Sequence, residues 1–167
     1  MEELIYQSAT ALAGLIRAKK VSSEEVVKAC LHRIQTVNPK VNAVVQLTAD
    51  SALAQARAAD AALARGEVKG PLHGVPMTIK DSIETAGVIC AAGTKGRAGY
   101  APPRDATVVA RLRSAGAVLL GTTNVPELAC AYETDNLVYG RTNNPFDLSR
   151  AAGGSSGGAA AIVATGG

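Results

Sequence analysis

Tryptophan is absent from this 167-residue sequence, and Phe and Tyr bring the aromatic share to only 3%. That scarcity argues against base-stacking platforms for nucleic acid. Histidine is almost as rare, with His32 and His73 alone, which leaves little for a metal site or for His-assisted catalysis. Cys30, Cys90 and Cys130 are odd in number and widely spaced. No pair has metal-ligand spacing, and all three are expected to be buried free thiols in a reducing compartment. Charge of one sign is lacking too: 17 Lys and Arg stand against 14 Asp and Glu, a net charge of +3. The longest basic run, Arg17-Ala18-Lys19-Lys20, is too slight for a nucleic-acid surface. No apolar run reaches membrane-spanning length, and the opening MEELIYQSATALAGLIRAKK has two acids rather than a basic-then-apolar leader. The resulting expectation is a cytoplasmic protein with neither nucleic acid nor membrane as partner.

What the sequence does contain is 47% hydrophobic residues and 17 glycines, enough for one core with many tight turns. Residues 1–69 read as a mainly helical lead-in. Leu12, Leu15 and Ile16 form one stripe, and Ser22 with Glu25 three positions on is a capping-box signature. Val26, Val27, Cys30, Leu31 and Ile34 continue at helical spacing. Asn42–Leu47 reads as a short strand, and an alanine-rich helix runs from about Asp50 to Arg65. Residues 70–167 read as α/β. Gly74–Asp81 (GVPMTIKD) is a buried strand ending on charge. DATVVARLRSAGAVLLG is a helix-then-strand unit, with Asp105 as N-cap, Val108, Val109 and Leu112 facing inward, and Ala117–Leu120 as strand. A further short helix near Pro126 is capped by Asn124, Tyr132–Arg150 is an irregular connection, and a last helix covers Ala159–Ala164. The fold class is α/β, a mixed sheet flanked by helices and left incomplete.

The stretch GGSSGG (Gly153–Gly158) allows three readings: a flexible turn, an anion site at a helix N-terminus, or a serine that performs chemistry. The phosphate-loop and dinucleotide patterns are both unmatched. A serine nucleophile needs a base within hydrogen-bond reach. His32 lies mid-helix and His73 sits alone in a turn, so the natural base is a lysine kept neutral by burial. Lys80 fits, because it ends an apolar strand while Lys19, Lys20, Lys28, Lys40 and Lys95 sit on helix surfaces or in turns.

GPLHGVPMTIKD, TNVPELA and GRTNNPFDLSRAAGGSSGGAAA, in that order, resemble the amidase signature family of serine hydrolases. The likeness is strong over Gly70–Gly167 and less specific before it. It implies a Ser–Ser–Lys arrangement in which Lys80 is the general base and Ser155 relays a proton to a nucleophilic serine. It also implies a cis peptide bond before Ser155, which Gly153 and Gly154 suit, a supporting hydrogen bond from Ser156, and Ala129 lining an acyl pocket. No metal or organic cofactor is implied.

The family's nucleophile lies in a second motif about two dozen residues beyond the bridging serine, so the expectation is that the sequence stops before it and before the oxyanion-hole amides. Such a piece is expected to be inactive alone and to expose apolar surface and unpaired strand edges. It would be either part of a longer hydrolase or a natural short product. Three functions follow: an amidase acting on a small-molecule amide, the glutamine-hydrolysing subunit of a tRNA-dependent amidotransferase, or a non-catalytic module that self-associates or binds the rest of a full-length enzyme.

Overall fold

The computed structural model describes residues 2–167. Four helices and one strand form the first part: α1 (Glu2–Ile5), α2 (Ala9–Arg17), α3 (Ser23–Val41), β1 (Val44–Leu47) and α4 (Ala49–Ala64). The capping box is present at α3. Ser22 Oγ accepts from the Glu25 amide at 3.1 Å, and the Glu25 carboxylate accepts from the Ser22 amide at 2.8 Å. Asp60 of α4 adds a second anionic cap to the same helix start, accepting from the amides of Ser23 and Glu24 at 2.7 and 3.0 Å. Both caps place negative charge where the helix has unpaired N–H groups. At the other end Asn42 turns the chain with φ +50°. The Asn38 side chain accepts from the amides of Ala43 and Val44, both at 2.8 Å, and so directs the chain into β1.

Gly14 lies exposed inside α2, and a Cβ added there meets nothing within 4 Å. Gly14→Ala is therefore expected to raise stability by about 1 kcal/mol through helix propensity. Urea unfolding should show this as a higher midpoint at unchanged slope.

β2 (Pro76–Lys80), α5 (Thr107–Ser114) and β3 (Val118–Thr123) form a parallel crossover unit, and the sheet order is β1-β3-β2 with β1 antiparallel to β3. All six residues of the central β3 are buried, because both faces are covered. Val118 and Leu120 join α2, α3, α4 and α6 (Gly157–Ala164) in the larger core, whereas Leu119 packs with Ile79 and Val109 beneath α5. This is the period-2 alternation of a strand.

Four sequence expectations change here. Val108 is 48% exposed rather than inward-facing, and α5 turns Val109 alone fully into the core. Asp105 does not cap α5; Ala106 holds that position, while Asp105 accepts from the Ala86 amide at 2.8 Å and pairs with Arg113 at 3.5 Å. The connection Tyr132–Arg150 holds the start of a hairpin, β4 (Asn143–Asn144) with β5 (Asp147–Ala151). Cys30 and Cys90 are buried but Cys130 is exposed, because it follows a tight turn on the surface. Burial alone pushes the Cys30 thiol up to about 11. Tyr132, Leu137, Phe146 and Val163 are exposed apolar side chains, and β1 and β2 are the sheet edges among the described residues. No described helix is long and apolar enough to cross a membrane.

Candidate functional site

Lys80 is the last residue of β2 and pairs in register with Thr123 of β3. Its neighbour Ile79 is committed to the apolar cluster under α5, so alternation sends Lys80 to the opposite face. Lys80 is half-buried, whereas Lys19, Lys20, Lys28, Lys40, Lys69 and Lys95 are all exposed. Its Nζ donates to Ser155 Oγ at 2.7 Å across 75 residues of sequence. Ser155 is half-buried and follows a cis peptide bond from Gly154. Ser156, expected to lend a hydrogen bond, is instead the exposed residue before α6, and its side chain makes no capping bond. The histidines stay away from this contact. His32 is exposed, and buried His73 accepts at Nδ1 from the Lys69 amide and donates from Nε2 to Ala59 O.

The glycines around Ser155 have separate causes. Gly153 adopts φ +81°, which favours glycine. The other three allow close approach. A Cβ on Gly154 would lie 2.9 Å from Ala131 O, one on Gly157 would run into the Thr134 side chain, and one on Gly158 would lie 2.7 Å from Ala43 O and against the Asn124 backbone. The loop is therefore pressed onto the chain that leaves β3.

That chain is fixed by a buried polar network that sequence reasoning did not find. Asn124 does not cap a helix at Pro126, although its type suggests that it would. Only a 3-10 turn forms there, Glu127–Ala129, with Leu128 and Ala129 at φ +51° and +58°. The Asn124 side chain is used elsewhere: Nδ2 donates to Gly140 O and Thr142 Oγ1, both at 3.0 Å, and Oδ1 accepts from Asn136 Nδ2 at 2.8 Å. Its backbone accepts from the Gly158 amide at 3.2 Å, which seats the first turn of α6 beside the end of β3. Asn124, Asn136 and Thr142 have no periodic signature, so only their polarity in an otherwise apolar neighbourhood marks them. Ala129 is half-buried on the turn that leads to Ala131 and so to the Gly154 contact.

Asp81 follows Lys80 and is completely buried. Its Oδ1 meets the Thr122 hydroxyl at a long 3.5 Å and its Oδ2 has no hydrogen-bond partner. Burial pushes the carboxyl up to about 6, a rise that the amides of Ala92, Ala91 and Gly93 only partly offset. Between about pH 4 and 6 the folded protein therefore holds a proton that the unfolded chain releases, so stability falls as pH rises through that window. We expect a loss of about 2 kcal/mol across it, removed by Asp81→Asn and measured by urea unfolding at several pH values.

Lys80, Ser155 and the Gly154 wall thus meet at the C-terminal end of β2. A separate cavity of about 470 Å³, lined in part by Arg65, Lys69, His73 and Arg113, also includes Gly116, Ala117 and Val118 at the start of β3, the opposite sheet end. Chemically, an amine in contact with a serine hydroxyl can take its proton and leave that oxygen able to take another.

The Amidase family model matches residues 25–167. A glutamyl-tRNA(Gln) amidotransferase subunit from Acidothermus cellulolyticus is 51% identical over 98% of this chain and 32% of its own length. A fatty acid amide hydrolase structure superposes with a TM-score of 0.94, with 33% identity over 98% of this chain and 29% of that one. A third, from a vestigial protein complex that reveals the evolutionary origins of an s-triazine catabolic enzyme, gives 0.90 with 39% identity over 96% and 35%. The chain spans about a third of the length of the relatives it matches.

Proposed function

Because the chain belongs to the amidase signature family, we propose that it carries the Lys–Ser half of an amide-hydrolysing relay, with residues 70–167 bearing the relay and residues 1–69 supporting it. The observation that carries this reading is the 2.7 Å contact of Lys80 Nζ with Ser155 Oγ. In the cycle, the unprotonated amine of Lys80 takes the proton of Ser155, and Ser155 takes that of an attacking serine. That serine adds to the amide carbonyl, and collapse of the tetrahedral adduct breaks the C–N bond and leaves an acyl-enzyme. The departing nitrogen receives its proton back through Ser155, and water then releases the acid. The reading assigns the attack and the oxyanion donors to groups other than Lys80 and Ser155, so this stretch is expected not to acylate by itself.

The 51% identity to a glutamyl-tRNA(Gln) amidotransferase component favours glutamine as the amide, with ammonia released for a partner that modifies charged tRNA in the cytoplasm. A free-standing amidase is the second reading, supported by the fit to fatty acid amide hydrolase. Two assays test these readings. A fluorophosphonate probe should leave this chain unlabelled and should label one serine in an amide-hydrolysing form that contains it; labelling of Ser155 itself would refute the relay. In the labelled form, ammonia release from glutamine but not from simple aliphatic or aryl amides supports the amidotransferase reading, and the reverse supports the free-standing one.

A further inference from the structure

One buried hydroxyl grips the Ser155 loop from both sides. Thr134 is fully buried. Its Oγ1 donates to Gly153 O at 2.8 Å and accepts from the Gly157 amide at 3.0 Å. Its own amide also donates to Gly153 O, at 2.9 Å. Gly153 and Gly157 stand two residues before and two residues after Ser155. A hydroxyl supplies one proton and two lone pairs, so a single Thr or Ser can serve both flanks and an apolar side chain of the same shape can serve neither.

The grip is anchored to the strand beside Lys80. Thr134 O accepts from the Thr142 amide at 2.8 Å, and Thr142 Oγ1 is held by Asn124 at 3.0 Å. Asn124 directly follows Thr123, the register partner of Lys80. A closed circuit of strand pairing, chain and hydrogen bonds therefore leads from Lys80 through β3, Asn124, Thr142 and Thr134 to the loop, and back to Lys80 through Ser155. Nothing in this circuit requires Thr134 to touch a substrate.

We infer that Thr134 is a positioning residue for Ser155: its hydroxyl sets the separation of Ser155 Oγ from Lys80 Nζ. The inference rests on the relay proposed above and adds to it the group that holds the relay in place. The test uses the 167-residue chain labelled with ¹³Cε-lysine. The Lys80 Cε–Hε resonance is identified by its loss in Lys80→Arg, and its displacement in Ser155→Ala marks a broken contact. Thr134→Val is expected to displace the Lys80 resonance in the same direction as Ser155→Ala, and Thr134→Ser to leave it at the wild-type position. A Thr134→Val resonance at the wild-type position would overturn the inference, and so would a Thr134→Ser resonance that moves with Val, since the methyl rather than the hydroxyl would then matter. Where Thr134→Val is unfolded by circular dichroism, Thr134→Ala takes its place with the same expected shift. If both are unfolded, Thr134 is a requirement of the whole domain and the inference fails. Failure of the relay itself looks different: Ser155→Ala would leave the wild-type Lys80 resonance unmoved.

Discussion

Lys80→Met, made in an amide-hydrolysing form that contains this stretch, is expected under the proposed relay to lower kcat/KM by roughly 10²–10⁴-fold, the usual range for a positioned proton-transfer group. The methionine keeps most of the buried stem volume, so the thermal midpoint should stay close to that of the parent. The loss arises because the amine 2.7 Å from Ser155 Oγ belongs to the one lysine drawn out of solvent among the described residues, at the tip of a strand whose Ile79 packs on the other face of the sheet with Leu119 of β3. Ser155→Ala should cost a similar factor. Because the two groups act in series, Lys80→Met/Ser155→Ala should be scarcely worse than either single variant. Fully additive losses would mean that the two side chains serve separate steps.

Gly158→Ala carries the largest expected effect on stability. The added methyl meets backbone rather than movable side chain, with Ala43 O at 2.7 Å and the Asn124 backbone closer still. Relief requires α6 to move off the end of β3, which breaks the bond from the Gly158 amide to Asn124 O. We expect a destabilisation of about 3 kcal/mol, from overpacking and a lost buried hydrogen bond. For a chain of this size that lowers the thermal midpoint by roughly 6–12 °C. Gly96→Ala is the control, because nothing lies within 4 Å of a Cβ there, and it should change the midpoint by less than about 2 °C. Since α6 begins directly after Ser155 and Ser156, Gly158→Ala should also displace the Lys80 contact, which Gly96→Ala should not.

Much of this was legible in the sequence where periodicity or a local motif carried it. The α3 capping box, the strand ending at Lys80 and the fold class all follow from short-range pattern, and the expected family is the one to which the chain belongs. The misreadings share a cause. Asp105 and Asn124 are good cap residues by type, but tertiary partners claimed them: the Ala86 amide and Arg113 for Asp105, and Asn136, Gly140 and Thr142 for Asn124. Val108 and Val109 are adjacent and alike, and helical phase decides which one is buried. The glycines of GGSSGG suggested backbone freedom, yet only Gly153 uses a positive φ while Gly154, Gly157 and Gly158 make room for neighbouring chain. Close approach between segments a dozen residues or more apart leaves no local trace, so Thr134 and the Asn124 network emerge only from the fold.

The central claim, that the Lys80 amine is bonded to the Ser155 hydroxyl and draws on its proton, is tested most directly by comparing lysine ¹³Cε spectra of the 167-residue chain with and without that hydroxyl. Ser155→Ala is predicted to shift the Lys80 resonance while those of the exposed Lys40 and Lys69 stay where they are. A Lys80 resonance that ignores the substitution would contradict it.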